Sequence, residues 1–112
     1  MTAPKKEVRL IPQELIENKI LLIRGKKVLL DRDLAQMYQV TTGNLNKAVK
    51  RNIERFPKEF MFQLNRKELT SLMFQNGISK GGVRKLPYAF TEPGIAMLSS
   101  VLKSEIAIHV NI

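Results

Sequence analysis

The stretch DRDLAQMYQVTTGNLNKAVKRNIERF, residues 31–56, decides the fold. It holds two apolar patterns of helical period separated by a short break. In the first, Leu34, Ala35, Met37 and Tyr38 supply a buried side. Asp31 offers an N-cap there, and Asp33 puts a negative charge in the first turn, where the helix dipole favours it. In the second, at about 100° per residue, Leu45, Ala48, Val49, Ile53 and Phe56 share one face. Thr41 or Thr42 caps this helix, which is expected to run to about Phe56 before Pro57 stops it. The tight Gln39–Gly43 connection, plugged by Val40, and the small Ala35 suit two helices crossing at close range. The pattern predicts a helix-turn-helix.

The other side of the second helix is polar and nearly all of one sign. Gly43, Asn44, Lys47, Lys50 and Arg51 lie opposite the apolar face, Asn46 and Arg55 stand on its flanks, and only Glu54 interrupts. A charged outer face is commonly no more than a solvated one, but rows of cations are what a phosphate backbone rewards. The major groove of DNA admits one helix, where Arg pairs bidentately with guanine and Asn with adenine. Thr42, Asn44, Asn46, Lys47, Lys50, Arg51 and Arg55 are therefore candidate DNA contacts. Lys58, Lys80, Arg84 and Lys85 join them as candidate phosphate contacts, the last three from a glycine-rich loop acting as a wing. Asn52 falls within the apolar face and is expected to be structural, bonded to backbone of the preceding turn or hairpin.

Outward from this core, Ile20–Ile23 and Val28–Leu30 flank Arg24-Gly25-Lys26, a hairpin signal with glycine at the turn. Phe60, Phe62 and Leu64 alternate as a half-buried strand. Asn65 and Glu68 then hold the positions of a capping box, with Leu64 and Leu69 at those of a hydrophobic staple. Gln75–Val83 is a loop rich in Gly, Ser and Lys. Leu86, Tyr88 and Phe90 predict another strand, which Pro87 restricts to an edge or a bulge. Thr91-Glu92-Pro93 starts a last helix, whose Ile95, Leu98, Val101 and Leu102 fall together. Ile106, Ile108, Val110 and Ile112 alternate like a strand, over too few residues to fix the element. Residues 1–14 read as a flexible basic arm, with Pro12 placed to open a short helical turn through Leu15 and Ile16. The expected fold is α+β: a small helix-turn-helix domain with short antiparallel hairpin and wing strands, winged-helix-like.

Composition agrees with a polyanionic partner. The 112 residues carry 19 Lys and Arg against 10 Asp and Glu, a net charge of +9. Residues 1–58 hold 13 basic and 6 acidic side chains, residues 59–112 hold 6 and 4. There is no Cys and a single His, at position 109, which excludes thiol chemistry and zinc fingers. No apolar run reaches the length of a membrane span and no signal-peptide apolar region is present, so a cytoplasmic location is expected. No catalytic constellation is readable. Asp31 and Asp33 mark a helix start, His109 stands alone, and Ser79-Lys80-Gly81-Gly82 lacks P-loop spacing. The reading is a non-enzymatic domain without cofactor or metal.

Leu29–Val40, Leu45–Pro57, Phe60–Leu64 and Leu86–Gly94 together resemble the phage antirepressor KilA-N superfamily, more narrowly the branch known as the open-reading-frame-six N-terminal domain. The resemblance spans residues 15–112. It implies a sequence-specific double-stranded DNA-binding module of a prophage or bacterial antirepressor-type transcription regulator, nucleoid-associated in its bacterial host. It also implies a domain truncated at its C-terminal end, since family members continue in a further helix. A repressor protein or a second copy of the chain is a further possible partner. Two other readings stand beside DNA. An RNA-binding module would expose aromatic rings for stacking, whereas Phe56, Phe60, Phe62 and Phe90 sit at core-periodic positions. A protein-interaction module would use the same charge to contact an acidic repressor surface.

Overall fold

The computed structural model describes residues 17–76 and 85–110. Leu21–Ile23 (β1) and Lys26–Leu30 (β2) form the predicted hairpin. Its two-residue turn is Arg24-Gly25, with φ of 56° and 74°. Positive φ at both central residues matches the twist of the flanking strands, and glycine adopts it without steric cost. Arg24 fastens the turn instead. Its Nε donates to Glu68 Oε2 at 2.7 Å, its Nη2 donates to Glu68 Oε1 at 3.1 Å, and its guanidinium lies 4.2 Å from the centre of the Phe62 ring. The hydrogen bonds from Arg24 hold the Glu68 carboxyl below its ordinary range.

Four strands make one antiparallel sheet in the order β1-β2-β4-β3, where β3 is Met61–Gln63 and β4 is Tyr88–Thr91. The Leu86–Phe90 segment thus supplies an inner strand, not the edge that Pro87 suggests. Pro87 stands just before β4, where its missing N–H is not needed, and its carbonyl accepts from Leu64 N at 2.9 Å. Strand alternation divides the core in two. Leu29 and Phe90 face one side; Val28, Leu30 and Ala89 face the other, with Leu64. The second side is covered through Leu72 of α3, Arg66–Asn76, whose capping box is complete. There Asn65 N donates to Glu68 Oε1 at 2.9 Å, and Glu68 N donates to Asn65 Oδ1 at 2.7 Å. Phe60 and Phe62 do not share a side as their alternation suggests. Phe60 lies in the turn before β3, with its N–H on Pro57 O, and packs with the Phe90 cluster, while Phe62 packs with Leu30.

The first side carries α1 (Asp31–Tyr38), α2 (Thr42–Arg51) and α4 (Glu92–Val110). The terminal alternation of isoleucines does not make a strand: α4 continues through Val110. Leu98, Val101 and Leu102 bury its inner face, against which Leu45, Ala48 and Phe56 pack. Phe56 meets Phe90 edge to face, with ring centres 6.0 Å apart. At the start of α4, Thr91 Oγ1 donates to Glu59 O at 2.7 Å and Thr91 N to Phe60 O at 3.0 Å. Gly94 packs so closely against Phe60 that no side chain fits there.

The domain is therefore α+β, with the helix-turn-helix seated on one face of the sheet. The expected arm, residues 1–14, and the turn from Pro12 to Ile16 lie outside the described residues. So does the glycine-rich loop beyond Asn76, which itself ends α3.

Candidate nucleic-acid interface

Three residues separate α1 from α2, and each has a definable task. Gln39 ends α1 in the left-handed conformation (φ 59°), and Val40 N donates back to Ala35 O at 2.9 Å. This is the Schellman closure, which lets Val40 fold against the core. Thr41 is the cap of the two threonines: its Oγ1 accepts from Asn44 N at 3.0 Å. Thr42 is thereby the first residue of α2 and lies half-buried.

Helix α2 ends at Arg51, short of Phe56. Asn52 turns its amide back and donates from Nδ2 to Ala48 O at 2.8 Å, closing the helix end as a structural residue. A 3-10 turn, Ile53–Arg55, follows. The tighter winding takes Ile53 off the apolar face and leaves it 51% exposed, while Phe56 returns to the core.

Asp31 departs further from expectation. Leu30 holds the N-cap position and Asp31 is the first helical residue, buried. Its Oδ1 accepts from Arg32 N at 2.7 Å and its Oδ2 from Asn46 Nδ2 at 3.1 Å. The Asp31–Asn46 bond ties α1 to α2. Asn46 is half-buried, with its Nδ2 held by Asp31 and its Oδ1 without a partner among the described residues, so it is placed as a positioning residue between the helices. Asn46→Ala leaves a buried carboxylate oxygen without its donor, a loss of about 1–3 kcal/mol. Its melting point should fall well below that of Asn44→Ala, which changes an exposed position; equal melting points would show that the lock carries no load. Asp33, also on α1, faces Lys19 at 3.9 Å, and partial burial raises its pKa.

The remaining candidate residues fall into two groups. Lys47 and Lys50 line an open groove of about 1100 Å³, together with Thr42, Gly43 and Asn46. Asn44 and Arg51 on α2, and Arg55 in the 3-10 turn, are exposed but do not line the groove. Lys58 is exposed beyond the 3-10 turn and is not brought to the groove. Lys85 is brought there. Lys80 and Arg84 lie outside the described residues. Two cations that helical periodicity within α2 could not reveal, Arg32 and Arg66, also line the groove. Arg32 follows Asp31 on α1, and Arg66 opens α3; only the tertiary fold places them beside Lys47. Among the described residues, the sole acidic one lining the groove is the buried Asp31.

A small α+β domain with a helix-turn-helix and a cation-lined groove is the class this geometry defines. The chain matches the ORF6N domain across residues 18–101 and belongs to that family of phage antirepressor-type proteins. No curated protein and no solved structure matches it. Among the described residues, no helix is long and apolar enough to cross a membrane.

Proposed function

We propose that the domain is a sequence-specific double-stranded DNA-binding module of an antirepressor-type regulator, acting without catalysis or cofactor. The observation that carries this reading is the exposed side of α2. Asn44, Lys47, Lys50 and Arg51 stand on a helix whose opposite face (Leu45, Ala48, Val49) is at most 4% exposed. A helix held so firmly can enter a major groove with its backbone already ordered, which lowers the entropic cost of binding.

The roles follow from chemistry. Asn44 and Arg51 suit paired hydrogen bonds to base edges, whereas lysine acts as a point charge on phosphate. Lys47 and Lys50 at the crest, with Arg55 and Lys58 further along the chain, are the anchors. Arg32, Arg66 and Lys85 add positive potential to the groove. Titration of duplex DNA against salt tests the electrostatic part. If roughly five to eight phosphates are neutralised, the log–log slope should be about −4 to −7. A flat response would reject it.

A further inference from the structure

Part of the lining of the groove beside α2 is apolar, which a phosphate backbone does not reward. Ile53 is 51% exposed, and Met61, Leu86, Pro87 and Tyr88 are half-buried; all five line the groove. Cations share that lining: Lys47 and Lys50 on α2, Arg32 on α1, Arg66 on α3, and Lys85. None of the five makes an ion pair with a described residue. A lining both apolar and cationic is complementary to a ligand that offers apolar side chains and carboxylates together.

We propose that this groove is a docking site for an acidic peptide segment of a partner protein, with apolar residues against the apolar lining and carboxylates against the cations. The apolar lining separates this ligand from nucleic acid. Apolar burial is indifferent to salt, whereas phosphate contacts weaken as counterions compete. A single-stranded nucleic acid would call for stacking platforms, and Tyr88 is the one aromatic ring lining the groove among the described residues. The walls are also already built. Gln63 Nε2 donates to Leu86 O at 3.0 Å, fixing the segment before β4 against β3. Peptide and DNA would share Lys47 and Lys50, so a bound peptide would compete with duplex DNA. The groove's chemistry stands whether or not the domain binds DNA.

The test is fluorescence anisotropy with three probes at about 0.3 M salt, where exposed charge pairs are largely screened. The first is a labelled twelve-residue peptide of alternating glutamate and leucine. The second replaces its leucines by serine, and the third is a twelve-nucleotide oligothymidine. The glutamate–leucine peptide should bind and the other two should bind at least tenfold more weakly. Ile53→Ser and Leu86→Ser together should weaken that peptide by about tenfold, the size expected from losing part of two buried aliphatic contacts. Duplex DNA affinity of the same variant should stay within about twofold, because neither residue offers a phosphate or base contact. Lys85→Glu is a second variant, at an exposed position where folding is not at risk; assayed at about 0.05 M salt, where exposed charges are less screened, it should also weaken the peptide. Equal binding of the serine peptide, tighter binding of oligothymidine, no peptide binding, or peptide affinity indifferent to all three substitutions would each overturn the proposal. Duplex DNA is titrated alongside, so loss of either reading is visible without the other.

Discussion

Replacing Gly94 by alanine should unfold the domain or remove most of its stability. A Cβ at this position would lie 1.9 Å from Phe60 O and 2.7 Å from Phe60 C. Both are backbone atoms, and they are not free to retreat. Phe60 O accepts the Thr91 N–H at 3.0 Å, and the neighbouring Glu59 carbonyl holds the Thr91 hydroxyl. The register of β3 on β4 and the start of α4 therefore converge on one crowded point. Overpacking a core costs about 1–3 kcal/mol when side chains can shift; with backbone on both sides the loss should reach or pass the upper end. Gly43→Ala is the control, because a Cβ there meets nothing within 4 Å. Urea melts should show Gly43→Ala near wild type and Gly94→Ala with little or no folded baseline. Similar midpoints for the two variants would mean that the Thr91–Gly94 junction is not packed in this way.

The second large effect concerns binding. Lys47→Glu combined with Lys50→Glu reverses two charges at the crest of α2. Both residues are exposed, so folding should be preserved within about 0.5 kcal/mol per site. Affinity for duplex DNA should drop roughly a hundredfold or more, since two phosphate contacts become two repulsions, and the salt slope should shrink by about two. Gel-shift titration of the folded variant reads both quantities. An unchanged affinity would remove α2 from the interface and leave Lys58, Lys85 and the cations of residues 1–14 to explain any binding.

Features that depend on a few neighbouring residues were legible in the sequence. The Asn65–Glu68 capping box, the Arg24-Gly25 hairpin and the apolar face of Leu45, Ala48 and Val49 each rest on local spacing, and the structure contains all three. Features set by a distant partner were not. Asp31 has the residue type of an N-cap, yet Asn46, fifteen positions away, draws its carboxylate inward. Ile53 keeps helical phase on a wheel, and the Asn52 amide ends the helix before that phase is reached. Pro87 signals an edge by composition, but one missing N–H just ahead of β4 leaves that strand free to pair on both sides. The candidate site divides along the same line. Lys47, Lys50 and Asn44 follow from the period of α2, whereas Arg32, Arg66 and the apolar lining come together only once α1, α3 and β3 are assembled around it.

Selection of binding sites from a random duplex library, by the wild-type domain and by Asn44→Ala, tests the central claim most directly. Asn44 is exposed on the proposed reading side of α2, and its backbone N–H, held by Thr41, does not depend on its side chain. The wild type should enrich one motif. Asn44→Ala should melt like wild type and enrich the same motif with preference relaxed at one or two base pairs, each worth about 1–3 kcal/mol of discrimination. Failure of the wild type to enrich any sequence, or a motif left intact by Asn44→Ala and by Arg51→Ala alike, would contradict the assignment of α2 as the recognition helix.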